Sequence, residues 1–315
     1  MPSCPCPVVA ILGPTGSGKS RLGTSLALRF QGEIVSCDAL QVYQGMDIGT
    51  AKAPRLERGL LPHHLLDLKT PNEEFSAGDY QRLARRVLVE IRGRNRVPFV
   101  VGGTGFYFRA LTDGFFEGPG RSPWLRSRLQ RIVDRRGPRT LHAALSRVDP
   151  AAAGRIAPAD APRIIRAYEI YLMTGKTMTA WQQLPRDELR GFRWLKLGIS
   201  WPREILYRRI DRRVEEMFEG GLVAEVQSLL ARYSRDCVAF KAIGYRQVVE
   251  YLAGECSLES AKEDTKLESR RYAKRQLTWF RARGDIRWLE ASGDATDLEP
   301  RATRLIADFL ASGII

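Results

Sequence analysis

Short apolar segments alternate with segments of helical periodicity along the first hundred residues of the chain. VVAIL (8–12), EIVSCD (33–38) and VPFVVGG (97–103) are short and mostly apolar, which predicts buried strands. Between them, residues 19–30 and 76–92 place Leu, Ala and Val three and four positions apart, as amphipathic helices do. This order predicts a parallel sheet with helices on both faces.

A different pattern covers residues 115–192, which carry strong helix signals and little strand pattern. Ser122 followed by Pro123 is typical of a helix start, and Gly175 is typical of a helix end. WLKLGIS (194–200) then predicts another strand, ahead of a long helical region. The helical stretch is therefore predicted to be an insertion in an α/β core.

The first predicted strand leads into a glycine-rich loop, GPTGSGKS (13–20), at the start of the first helix. The loop satisfies the pattern G-x-x-x-x-G-K-[ST], in which backbone N–H groups and the helix N-terminus surround phosphate oxygens. Most such loops bind ATP or GTP. The positions predicted to contact phosphate are Gly13, Thr15, Gly16, Ser17, Gly18, Lys19 and Ser20, with the Ser20 hydroxyl placed to bind Mg²⁺.

These patterns together predict the fold class and the domain boundaries. The class is α/β: a P-loop-containing parallel sheet with flanking helices, plus an inserted all-helical domain. We predict that residues 1–114 and 193–315 form the core and that residues 115–192 form the insertion.

The acidic residue of an ordinary ATPase is missing from its usual place. VPFVV is followed by Gly102, Gly103 and Thr104, whereas the carboxylate Asp38 follows the second predicted strand. Ligands of an open parallel sheet collect at the carboxyl ends of its strands, so Asp38, Thr104 and the loop are predicted to share one crevice. Asp38 could bind metal, take a proton from a nucleophile or cap a helix, and Thr104 could equally cap the helix that follows it.

Composition narrows the choice of partner and compartment. The 315 residues carry a net charge of +14, which favours a polyanionic partner, although an arginine-rich surface alone would give the same charge. The five cysteines are scattered and odd in number, unlike a disulfide framework. No apolar stretch reaches membrane-spanning length. We therefore expect a cytoplasmic protein that does not contact membranes.

Six motifs occur in order along the chain: GPTGSGKS, SCDALQVYQGMDIGTAK, PHHLLDLKTPNEEFSAGDY, VGGTGFYFRAL, AIGYRQ and RRYAKRQLTWFR. In this combination the chain resembles the tRNA dimethylallyltransferase family, the tRNA isopentenyltransferases, in their bacterial form. The resemblance implies transfer of a dimethylallyl group from dimethylallyl diphosphate to N6 of the adenosine 3′-adjacent to the anticodon. It also implies tRNAs that read codons beginning with U, and release of diphosphate.

The resemblance also implies roles for individual residues. Asp38 would be the general base and Thr104 would act at the reacting centre. The glycine-rich loop would bind the donor's diphosphate, with Mg²⁺ on Ser20, and Arg275 would reach the same group. The helical insertion would clamp the anticodon stem-loop. The implied tRNA contacts are Asp38, Ala39, Leu40, Gln41, Arg126, Arg163, Arg166, Lys241, Gly244, Tyr245 and Arg246.

Other functions remain open from the sequence. An adenylate isopentenyltransferase would act on free AMP, ADP or ATP, but it would not need a helical insertion or a basic surface. A P-loop kinase of small metabolites would consume ATP and use Asp38 for metal binding or hydroxyl deprotonation. A non-catalytic RNA-binding module would leave Asp38 and Thr104 without a purpose. We expect a monomer, since one basic crevice is enough for one stem-loop.

Overall fold

The computed structural model describes residues 5–116, 118–292 and 297–312. The chain divides into two compact units, one formed by Met1–Thr112 with Leu189–Ile315 and the other by Asp113–Glu188. The second unit begins and ends a few residues before the predicted 115 and 192. The physical reason is a backbone hydrogen bond of 3.1 Å from the N–H of Leu189 to the carbonyl of Thr112, which closes the first unit ahead of the next strand.

The first unit is built on a sheet in which every pair of neighbouring strands is parallel. The strand order is β3-β2-β4-β1-β5-β6. The strands are β1 (Cys6–Leu12), β2 (Gly32–Cys37), β3 (His63–His64), β4 (Val97–Gly102), β5 (Phe192–Ser200) and β6 (Arg287–Glu290). The predicted parallel sheet with flanking helices is thereby confirmed. β3 and β6 were not predicted, because two and four residues are too short to show a period.

The helices follow the predicted periodicity where a prediction was made. They are α1 (Lys19–Arg29), α2 (Arg55–Leu60), α3 (Ala77–Gly93), α4 (Gly105–Thr112), α5 (Pro123–Arg136), α6 (Pro138–Val148), α7 (Pro150–Arg155), α8 (Ala161–Thr174), α9 (Met178–Gln182), α10 (Arg203–Glu219), α11 (Leu222–Leu230), α12 (Tyr245–Leu252), α13 (Leu258–Arg281) and α14 (Leu298–Ala311). No helix in the described ranges combines the length and apolarity needed to cross a membrane.

The central strand β1 is buried on both faces. Val9 and Ile11 face a core that contains residues of α1, α10 and α14. Val8, Ala10 and Leu12 face the opposite core, which contains residues of α3 and α4. This explains why β1 is continuously apolar rather than alternating. The loop that follows β1 is therefore fixed to the rigid centre of the sheet.

The second unit has a small helical core of its own. Leu129 of α5, Leu145 of α6 and Ile164 of α8 are fully or nearly fully buried against one another. The predicted start of α5 is observed, because the Ser122 hydroxyl accepts a hydrogen bond of 3.3 Å from the Leu125 N–H. Such a cap satisfies one of the free amide groups at a helix N-terminus.

Candidate active site

Three neighbouring strands deliver the predicted catalytic groups to one edge of the sheet. Gly102, at the end of β4, lies opposite Leu12 of β1 and Cys37 of β2. The Thr104 N–H donates to the Cys37 carbonyl at 3.2 Å, and the Thr104 hydroxyl accepts from the Ala39 N–H at 3.1 Å. The structure thus brings the segments that carry Asp38 and Thr104 together, next to the end of the strand that leads into the glycine-rich loop.

The glycine-rich loop turns sharply and packs closely against α10. Gly16 has φ +76°, and a Cβ on it would lie 2.8 Å from Cγ1 of Ile210. Gly18 has φ +87° and is the N-cap of α1. A side chain at either position would strain the backbone. The glycines therefore permit both the turn and the close packing of the loop.

Two residues that the sequence did not indicate hold the outer side of this loop. The Trp201 indole N–H donates to the Ser17 carbonyl at 2.9 Å, and Arg209 Nε donates to the Gly16 carbonyl at 2.9 Å. The Arg209 guanidinium carbon lies 4.4 Å from the Trp201 ring centroid. These bonds engage the carbonyl oxygens of the loop from the side of β5 and α10, and they fix its orientation.

The charged groups of the site lie close enough to influence one another. Lys19 is buried and its ammonium donates to the Pro14 carbonyl at 3.2 Å. Burial, and then the charge of Arg213, lowers the pKa of Lys19 to about 8, while Asp38 opposes that change. Burial also lowers the pKa of Arg213, again opposed by Asp38. Two cations beside the loop suit a ligand with more than one negative charge.

A cavity of about 410 Å³ opens over the loop. Its walls come from the glycine-rich loop and from the cationic face of α10, and they include Gly16, Gly18, Lys19, Ser20, Arg209, Arg212 and Arg213. The three arginines were missed in the sequence, because they lie almost two hundred residues after the loop. Only the pairing of β1 with β5, which precedes α10, brings them to it.

One carboxylate oxygen of Asp38 accepts a hydrogen bond within a local turn. Its Oδ1 accepts a hydrogen bond of 2.9 Å from the Leu40 N–H. Within the described part of the chain its other oxygen has no hydrogen-bond partner, so it can accept a proton. Burial, and then the charge of Asp38, raises the pKa of Tyr272 to about 12, opposed by a hydrogen bond with Thr104. Tyr272 is thus a third polar group beside the predicted pair, and the sequence did not indicate it.

The side chain of Gln41 is engaged inside the protein. Its Oε1 accepts from the Ser36 hydroxyl at 2.8 Å, and its Nε2 donates to the Thr50 carbonyl at 3.2 Å. A tRNA contact by this amide would have to replace one of those bonds. Ala39 and Leu40 are partly exposed on the same segment.

The AIGYRQ motif lies largely in the core. Tyr245 is fully buried and its hydroxyl donates to Glu225 at 2.5 Å. The ring therefore has no access to a partner in this structure, and the predicted tRNA contact at Tyr245 would have to be made by its backbone. Gly244 has φ +91° and permits the turn into α12. Lys241 is exposed, whereas Arg246 is paired with Glu250 and Asp264.

Arg275 lies on the exposed side of α13. Its guanidinium carbon is 5.7 Å from the ring centroid of Tyr272. Arg275 makes no ion pair within the ranges that the structure describes. Many other cations of this helix are paired: Lys266 with Glu215, Arg270 with Asp211 and Arg271 with Glu268.

In the helical unit, two of the predicted tRNA-binding arginines share one buried carboxylate. Glu169 is 0% exposed and lies 3.3 Å from Arg126 Nη1 and 3.0 Å from Arg166 Nη1. It also accepts a hydrogen bond of 2.8 Å from the Ser122 N–H. Arg163, by contrast, is well exposed and lies 3.4 Å from Asp160. Glu169 therefore sets the direction of Arg126 and Arg166.

Replacing Glu169 with alanine is expected to destabilise the helical unit by about 3 kcal/mol, near the low end for a broken buried ion pair. The low end applies because both arginines are partly exposed and can be hydrated. Urea unfolding of the two proteins would measure the difference. Glu169→Gln keeps an acceptor for the Ser122 N–H and should therefore lose less stability than Glu169→Ala. Equal stability of the wild type and both variants would contradict the role of Glu169 as the buried partner of the two arginines.

The outward face of α5 carries a second set of arginines. A cavity of about 670 Å³ is lined by Trp124, Arg128, Arg131, Ile132, Arg135 and Arg136. Among the described residues none of these four arginines has a carboxylate partner, and the Arg128 guanidinium carbon lies 5.4 Å from the Trp124 ring centroid. We call this set the α5 arginine face. Its spacing of three and four residues was visible in the sequence but was not singled out.

Comparison with known proteins was made with both sequence and structure. A model of the IPP transferase family matches residues 41–283. The tRNA dimethylallyltransferase of Koribacter versatilis is 50% identical over 296 residues, which cover 94% of this chain and 96% of that protein. The one from Solibacter usitatus is 47% identical over 305 residues, covering 96% and 99%.

Solved structures give the same result. A full-length tRNA isopentenylpyrophosphate transferase from Bacillus halodurans has a TM-score of 0.72 and 41% identity, covering 97% of both chains. A eukaryotic dimethylallyltransferase acting on tRNA has a TM-score of 0.83 and 30% identity, covering 98% of this chain and 81% of that one. The match to the family model and the similarity to these relatives along nearly the whole chain show that this protein belongs to the tRNA dimethylallyltransferase, or IPP transferase, family.

Proposed function

We propose that this protein transfers a dimethylallyl group from dimethylallyl diphosphate to N6 of the adenosine that follows the anticodon in tRNA. The observation that carries the proposal is the grouping of Asp38 and Thr104 beside a phosphate loop backed by Lys19 and Arg213. A carboxylate next to a diphosphate site can take a proton from a nucleophile, which suits transfer of the donor's group to an acceptor amine. The relatives named above act on tRNA, which supports the choice of acceptor.

The loop and its cations would hold the leaving group. As the bond between the donor's first carbon and its phosphate oxygen breaks, the electron pair stays on the diphosphate. Loop N–H groups, Lys19 and Arg213 stabilise the charge that develops there. Trp201 and Arg209 keep the loop in place from outside, so its donors need not reorganise during the reaction.

Asp38 would act on the acceptor. An exocyclic adenine amine is a weak nucleophile until it loses a proton, and the free oxygen of Asp38 can accept that proton as the new N6–carbon bond forms. Tyr272 and Thr104 stand beside the carboxylate and can orient it or the amine. The adenine must leave its stack before the amine reaches this point.

Mg²⁺ would be held by Ser20 and by the donor's own oxygens. The Ser20 hydroxyl is exposed on the first turn of α1 and makes no hydrogen bond within the described residues, which also contain no cluster of three His, Cys, Asp or Glu. Mg²⁺ in phosphate sites is commonly bound in this way, with few protein ligands. When bound, it would neutralise part of the diphosphate charge.

The α5 arginine face suits the sugar–phosphate backbone of the anticodon stem-loop, since its guanidinium groups are exposed and have no internal carboxylate partner. A tRNA substrate also agrees with the net charge of +14 and with a cytoplasmic location.

Changing Arg128, Arg131 and Arg135 together to glutamine is expected to weaken tRNA binding and to lower its salt dependence by about one unit of slope per lost phosphate contact. Binding would be titrated at several salt concentrations. The matched control changes Arg82 and Arg86 of α3, which lie in surface ion pairs. An unchanged salt slope in the α5 variant would exclude the α5 arginine face as an RNA contact.

The proposed function is tested by supplying labelled dimethylallyl diphosphate and Mg²⁺ with unmodified tRNA, an anticodon stem-loop, AMP or ATP. Label on the RNA acceptors alone is expected. Label on AMP or ATP would indicate an adenylate isopentenyltransferase instead. ATP consumption without any labelled acceptor would indicate a kinase.

A further inference from the structure

One buried amide connects the phosphate loop to the strand end that carries Thr104. Gln276, on α13, is 7% exposed. Its Oε1 accepts a hydrogen bond of 2.9 Å from the Thr15 N–H, and its Nε2 donates one of 2.8 Å to the Gly103 carbonyl. The Thr15 N–H, predicted to bind phosphate, is therefore occupied by a side chain in this structure.

The Thr15 N–H and the Gly103 carbonyl need a linking side chain that both accepts and donates, as an amide does. A backbone N–H can only donate and a backbone carbonyl can only accept, so the linking side chain must offer one acceptor and one donor. A carboxylate would place a second acceptor against the Gly103 carbonyl, and an aliphatic side chain would leave both groups unsatisfied. Gln276 also packs tightly against Gly103, because a Cβ at Gly103 would lie 2.4 Å from Nε2 of Gln276.

The hydrogen bonds of Gln276 also connect the loop to the segment of Asp38, the predicted general base. Gly103 directly precedes Thr104, whose hydroxyl accepts from the Ala39 N–H, the neighbour of Asp38. A continuous path of hydrogen bonds and backbone therefore runs from Thr15, through Gln276 and Thr104, to the segment that carries the carboxylate. Helix α13 contributes Tyr272 from the same side.

We propose that Gln276 is a positioning residue, which fixes the separation between the phosphate loop and the Asp38–Thr104 pair. The inference rests on the proposed function, in which the loop holds the donor and Asp38 acts on the acceptor amine. Transfer requires the donor carbon and the amine nitrogen to be held at near-attack distance, and a misplacement of about 1 Å can cost about 10²-fold in rate.

The first test is Gln276→Leu, which keeps the bulk and removes both hydrogen bonds. We expect kcat for transfer to tRNA to fall about 10²-fold, while the Kd for inorganic diphosphate changes by less than about tenfold. Gln247→Leu is the control for stability, because Gln247 is another buried glutamine, whose side chain bonds Gly244 and Asp264. Both variants should lower Tm, and both are compared per folded molecule.

The second test, Gln276→Glu, uses pH and does not depend on the first variant folding. A protonated carboxyl group offers the same acceptor and donor as the amide, whereas the ionised form lacks the donor. The ratio of its transfer rate to that of the wild type should therefore rise as the pH falls. Taking the ratio per folded molecule cancels any pH dependence that the two proteins share and any loss of folded variant, so a role in folding alone would not give this rescue.

The outcomes separate the inference from the proposed function. The inference alone would be overturned if the wild type transfers the group to tRNA and Gln276→Leu has an unimpaired kcat. A pH-independent rate ratio in Gln276→Glu would overturn it in the same way. A wild type that transfers nothing to tRNA would overturn the proposed function and this inference with it.

Discussion

Asp38→Asn is expected to slow dimethylallyl transfer by about 10²–10⁴-fold, the usual contribution of a general base. Asparagine can still accept the Leu40 N–H hydrogen bond that Oδ1 of Asp38 makes, so the local turn should survive. What it cannot do is take the proton from the adenine amine. Single-turnover transfer with saturating tRNA and donor would measure the effect on the chemical step.

Asp38→Ala provides the comparison for this experiment. It should lose transfer as well, while tRNA binding, measured without donor, stays largely intact because the cationic surfaces are unchanged. If either variant turned over at a near-normal rate, Asp38 could not be the base. In that case its proximity to Lys19 and Arg213 would point to a role in charge balance.

Lys19→Met is expected to weaken binding of dimethylallyl diphosphate by about 2–5 kcal/mol, as for loss of one partner of a buried charge pair. Methionine preserves most of the side-chain volume but offers no positive charge to the diphosphate. Equilibrium binding at pH 7 would measure the difference. Binding at wild-type strength would show that Arg213 and the loop amides suffice.

The advantage of the wild type over Lys19→Met should also depend on pH. Burial lowers the pKa of Lys19 from its ordinary value of 10.5 to about 8, so the free protein carries this charge below pH 8 and loses it above. The ratio of the two affinities should therefore shrink as the pH rises through 8, by up to about tenfold per unit. A ratio that stays constant well above pH 8 would contradict the lowered pKa.

The same pKa shift has a consequence for stability with a definite sign. Since the folded pKa of Lys19 lies below the unfolded one, the unfolded chain binds more protons between about pH 8 and 10.5. The contribution of Lys19 to the free energy of unfolding therefore rises with pH across that window. In Lys19→Met this contribution is absent.

The sequence by itself determined the parts of the site that are written as short continuous motifs. The glycine-rich loop, Asp38 and Thr104 each follow an apolar run that had to be a strand, and parallel strands bring their carboxyl ends to one edge. The family was likewise evident from six motifs in order. Helix starts such as that at Ser122 could be predicted because capping depends on neighbouring residues.

The tertiary structure decided which distant side chains complete the site and which of the predicted contact residues have buried side chains. Trp201, Arg209 and Gln276 reach the loop from far along the chain, and no local period marks them. Tyr245 looks like a contact residue in its motif, yet Glu225 and the core enclose it. A sequence pattern records spacing along one element, whereas hydrogen bonds and burial depend on which elements meet, and only the folded chain specifies that.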